Sequence, residues 1–218
     1  MSLFEVDKGS QEKLKKKYEN FTFEGTEFTL SKTQIRVQID SKIYKDFLNY
    51  SESEAHEYFE KLLIMFIKTC YDCKIQLNPL NLEFIADDEI NRSLQSVFED
   101  KDGVRCGHIL FPKQHLTRYV FELNFWHELG HCWISTVKPN NPIELKSFEL
   151  NTDIIAICTL NKILPSHKRL YKDLVKLFTY FGGDEGIKYF GKTNHKNIMD
   201  NPELYLRNLV ESKSSKST

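Results

Sequence analysis

Residues 107–131 read GHILFPKQHLTRYVFELNFWHELGH, and most of what this chain can be follows from that run. Its first residues close a strand candidate, VRCGHILF, entered through the turn signal Asp102-Gly103. From Thr117 to about Thr136 the pattern is helical. On that helix His127 and His131 are four residues apart, so both imidazoles lie on one face and can point at one ion. Glu128 sits beside the first of them. A metal-bound water there would be acidified towards about pH 7, and a neighbouring carboxylate could take its proton. The flanking Phe125, Trp126, Leu129, Gly130, Cys132 and Trp133 are uncharged, which suits a helix buried beneath a cleft. Gly130 costs about 1 kcal/mol of helix propensity and so points to close packing or ligand access. The plain alternative is a helix with two unrelated histidines, one in the core and one at the surface.

A catalytic zinc ion takes three protein ligands. Downstream, Ile143–Leu164 reads as a second helix stopped by Pro165 and reached through the loop KPNNP. Glu149 and Asp153 share one of its faces. Glu149 is the preferred third ligand, with Glu144 as its competitor, and Asp153 can orient a ligand histidine from behind. Read by themselves, the two acids could equally be favourable charges near a helix N-terminus.

His127-Glu128-Leu129-Gly130-His131 followed by Glu149-x-x-x-Asp153 resembles the gluzincin type of zinc metallopeptidase. The run 107–131 looks like the intracellular ImmA/IrrE-type branch, although Asn124 stands where such motifs often carry a small β-branched residue. The resemblance covers roughly residues 103–165. It implies one Zn2+ held by His127, His131 and Glu149, acid/base catalysis by Glu128, a supporting role for Asp153, and a zincin-like fold. Zinc peptidases often add a His, Tyr or Arg donor for the oxyanion. His195, in the polar stretch GKTNHKNIMD, is the first candidate, ahead of Tyr180, Tyr189, His108 and His115.

Outward from this core, FTFEGTEFTL and QIRVQID alternate as strands, and Ser51–Tyr71 forms a helix capped by Ser51 or Ser53. Cys73–Leu77 and Leu82–Ala86 read as short strands, and the polar Asp87–Asp102 as a loop with one short helix. After Leu164, further helices are expected at 167–181, 184–190 and 202–211. Strands and helices are thus partly segregated, which predicts an α+β fold. In it a small mixed or antiparallel sheet packs on the HELGH helix, and the C-terminal half is mostly helical. Residues 1–20 form a polar N-terminal segment, 21–211 one domain and 212–218 a disordered tail. The VRCGHILF strand is expected at the cleft edge, where a peptide could pair with it; Gly107→Pro would then disturb peptide binding alone.

The chain has 218 residues, with Lys+Arg 30 against Asp+Glu 31, so no global field favours nucleic acid or an anionic membrane. No secretory leader or membrane-spanning run is visible, and a cytoplasmic protein is expected. The odd count of five cysteines, with only a lone CxxC at Cys70–Cys73 and no secretory leader visible, suits free thiols rather than a disulfide framework. The reading is therefore a zinc-dependent peptidase acting on an intracellular peptide or protein substrate, with the oligomeric state open. The rival from another class is a non-catalytic, zinc-stabilised binding or regulatory module.

Overall fold

The structure, a computed structural model, describes residues 25–30, 35–75, 77–90, 94–112, 118–134 and 151–160. Five strands, β1 (Gly25–Leu30), β2 (Ile35–Asp40), β3 (Leu80–Asp87), β4 (Gln95–Lys101) and β5 (Val104–Pro112), form one mixed sheet in the order β1-β2-β3-β5-β4. β2, β3 and β5 run parallel, and β1 and β4 pair antiparallel at the two ends. Two α-helices, α1 (Glu52–Asp72) and α2 (Arg118–Trp133), a third helical run at 151–160, here α3, and a short π-helical turn at Ile43–Phe47 complete the α+β arrangement among the described residues.

Period-two alternation decides which sheet face is covered. Ile35, Val37 and Ile39 of β2, Leu80, Leu82 and Phe84 of β3, and Ile109 and Phe111 of β5 are buried in one cluster with the helices. A much smaller cluster of Ile85, Ile90 and Leu110 serves the far face. α1 begins with a full capping box: Ser51 accepts from the Glu54 N–H, and the Glu54 carboxylate accepts from the Ser51 N–H. Of the two serines expected as caps, Ser51 is the one used. Ala55, Phe59, Leu62, Leu63 and Phe66 then turn to the core at helical spacing.

α1, β3 and α2 meet at Phe59, Phe84 and Phe125, whose ring centroids lie 4.7 to 5.6 Å apart. Both tryptophans of α2 add a hydrogen bond. Trp126 Nε1 donates to the Leu62 carbonyl at 3.0 Å, and Trp133 Nε1 donates to that of Asn78 at 2.7 Å. Buried aromatics with a satisfied polar end hold an element in register as well as in place.

Three expectations are corrected. Of the expected strand Cys73–Leu77, the described residues 73–75 and 77 are not in a strand. Cys73 is the C-cap of α1, Lys74 takes a left-handed φ of 59°, and the Ile75 N–H returns to the Cys70 carbonyl at 2.9 Å. Within the polar stretch 87–102, residues 95–101 are β4 rather than a helix. Asp102 (φ 53°) and Gly103 (φ 78°) make a two-residue turn between Lys101 and Val104, the geometry that suits a hairpin. β5 lies inside the sheet, so the edge on this side is β4. Proline at Gly107 would therefore break interior pairing. Even a Cβ there would sit 2.8 Å from Cys132 Sγ, because β5 and α2 approach closely at that point.

Of the helices expected beyond the HELGH helix, 151–160 is helical, and the remainder lies outside the described residues along with the N-terminal segment and the tail. No helix among the described residues is long and apolar enough to cross a membrane.

Candidate metal centre

α2 is wedged between the sheet, α1 and α3, so its polar side chains have few directions to face. Asn124, His127, Glu128 and His131 fall on one stripe at spacings of three and four and are all buried. Glu122 lies on another side and accepts from Tyr58 Oη of α1 at 3.1 Å.

His127 Nε2 and His131 Nε2 face each other at 3.0 Å, with the rings nearly perpendicular. Behind His127, Asp153 Oδ1 of α3 lies 2.7 Å from Nδ1. A carboxylate at that distance accepts a hydrogen bond from the Nδ1–H, which leaves the Nε2 lone pair directed at His131. Two nitrogen lone pairs cannot face each other at 3.0 Å without a proton or a cation between them. An ion reaching both at zinc–imidazole distances in tetrahedral geometry needs nitrogens about 3.3 Å apart. The observed pair is within a few tenths of that separation, and its donor set and backing carboxylate suit zinc.

α3 approaches because Gly130 has no side chain. A Cβ there would lie 3.0 Å from Thr152 Cγ2 and 3.4 Å from Ile155 Cγ2. Close packing is thus the reason for this glycine. The same approach brings Thr152 Oγ1 to 3.3 Å from His127 Nδ1 and 3.5 Å from His131 Nε2. Thr152 was missed in the sequence, where only its acidic neighbours drew notice; Gly130 was the available sign that a small side chain would cross there.

Glu128 points towards β4, where its Oε2 accepts from Ser96 Oγ at 2.5 Å. Ser96 had no signal in the sequence, since it lies in the stretch read as loop and helix. Cys132 turns away from the histidines into the sheet, and burial pushes its thiol far above the ordinary range, with the Glu128 carboxylate adding to the effect.

His108, a candidate oxyanion donor, is on the far face of β5 and paired with Glu83, so it does not reach the site. Glu149, Glu144, His195, Tyr180, Tyr189 and His115 lie outside the described residues. Among the described residues no three His, Cys, Asp or Glu side chains are placed to hold a metal ion together. The site as described is therefore a histidine pair with a backing carboxylate and an adjacent acid. No protein-family model, curated protein or solved structure matches this chain.

Proposed function

We propose that this chain is a zinc-dependent peptidase of gluzincin type with a zincin-like fold, acting on a peptide or protein substrate inside the cell. His127, His131 and Glu149 would hold one Zn2+. The observation that carries the proposal is the 3.0 Å approach of the two Nε2 atoms, with His127 set in its tautomer by Asp153 and Glu128 on the adjoining residue. Zinc bound there would supply an acidified water and a polarised substrate carbonyl.

The chain's own groups divide the remaining work. Asp153 holds the Nδ1 proton of His127 and keeps that ring from turning. Thr152 packs against both rings and limits their movement. Glu128 would accept a proton from the attacking water and pass it to the departing amine. His195 is the candidate to donate to the developing oxyanion.

Glu128→Gln tests this reading. Peptide hydrolysis should fall at least about 100-fold, the usual worth of a positioned base, while zinc content and folding stay as in the wild type. A second reading, a zinc-stabilised binding module, draws on the burial of His127, Glu128 and His131, none more than 6 % exposed. Fully zinc-loaded wild-type protein that cleaves nothing in a broad peptide library would favour that module over the enzyme.

A further inference from the structure

The Ser96 hydroxyl is the feature of the site that the peptidase reading leaves without a purpose, and its surroundings give it one. On the helix-facing side of β4 the side chains at alternate positions are Ser96, Phe98 and Asp100. The last two are occupied in packing. Asp100 takes a two-pronged ion pair from Arg105, whose guanidinium also lies 4.7 Å from the centre of the Phe98 ring and donates to the Cys132 carbonyl at the end of α2. Ser96 instead donates to Glu128 Oε2 at 2.5 Å. Its hydroxyl thus delivers one short, charge-assisted bond to the carboxylate.

A glutamate has three side-chain torsions, and a misplacement of about 1 Å at a reacting group can cost on the order of 100-fold. Glu128 needs something to choose its rotamer, and β4 supplies it from across the sheet–helix boundary.

We propose that Ser96 is a positioning residue: its hydroxyl fixes Glu128 Oε2 against β4 so that the second carboxylate oxygen is aimed at the proton it must accept. This rests on the zinc peptidase reading above.

The test uses acetohydroxamate, a zinc-chelating probe whose acidic proton is taken up by a neighbouring carboxylate, so binding reports Glu128 without any known substrate. Calorimetric titration of the zinc-loaded full chain should show Ser96→Ala binding the probe 10- to 100-fold more weakly. Zinc affinity should stay within about twofold, because neither histidine touches Ser96. Ser96→Thr, which keeps the hydroxyl, should restore binding, and Ser96→Cys, a weaker donor, should fall between. Ser96→Ala should cost nothing further in a Glu128→Gln background, because the two changes remove one interaction. Wild-type affinity for the probe in zinc-loaded Ser96→Ala, or an equal loss in Ser96→Thr, would overturn the inference alone. A wild-type chain that takes up no zinc would overturn the peptidase reading and this inference with it.

Discussion

Two histidine–carboxylate pairs lie on opposite sides of the sheet. His108 of β5 pairs with Glu83 of β3 at 2.9 Å on the far face, their side chains 18 % and 28 % exposed. His127 of α2 pairs with Asp153 of α3 at 2.7 Å on the helix-covered side, their side chains 3 % and 2 % exposed. The residue types and distances are nearly the same, though the inner contact alone has hydrogen-bond geometry, so a carboxylate beside a histidine is no mark of a metal centre by itself. What separates them is convergence. The inner pair presents its remaining nitrogen to a second imidazole and carries an acid on the next residue. The outer pair is a cross-strand neighbour relation set by register, Glu83 opposite His108.

The sharpest way to break this comparison is to remove one histidine from each side. His127→Ala should take zinc, measured by elemental analysis, from about one per chain to below about a tenth, since one of the three proposed ligands is lost. His108→Ala should leave it unchanged; equal losses would mean that the inner pair is nothing special. Next come the carboxylates. Asp153→Asn should weaken zinc binding about 10- to 100-fold in a competition titration, the usual cost of losing a backing carboxylate, and Glu83→Gln should stay near the wild type.

Gly107 adjoins His108 and seats α2 on β5. Gly107→Ala should destabilise the fold by about 1–3 kcal/mol in urea unfolding, the cost of overpacking a close contact. A neutral result would mean that Cys132 can move aside and that α2 is held less tightly than the site needs.

The smallest effect concerns the cysteines. Cys106 is partly exposed, while Cys70, Cys73, Cys132 and Cys158 are buried. Iodoacetamide should modify Cys106 first in the native protein. Burial raises that thiol as well, so its labelling rate should still be climbing at a pH where an ordinary thiol has levelled off. Early labelling of Cys132 would show the helix-covered side to be more open than its burial implies.

The parts of this molecule legible in its sequence are those set by short-range spacing. His127 and His131 share a face because four residues make about one turn, the Ser51–Glu54 box declares the start of α1, and the alternation in 35–40 declares β2. Asp153 was nameable from its spacing to Glu149, though its partner among the histidines was not. β4 escaped because an edge strand has one wet side, and QSVFEDK carries too little apolar alternation to stand out. Asp102-Gly103 is legible as a turn leading into β5, and a turn of that kind also implies the strand before it. Ser96 and Thr152 were illegible for a deeper reason. Each meets the site only through tertiary packing, Ser96 32 residues from Glu128, and nothing local distinguishes either from any surface hydroxyl.

The central claim is that a cation, rather than a proton, belongs between the two facing imidazoles. The direct measurement is an anomalous difference map at the zinc edge from crystals of the purified chain grown without chelator. The account predicts one peak within about 2.1 Å of both His127 Nε2 and His131 Nε2, with Asp153 still on Nδ1. Crystals in which the two nitrogens remain in hydrogen-bond contact, with no peak even after zinc soaking, would contradict it.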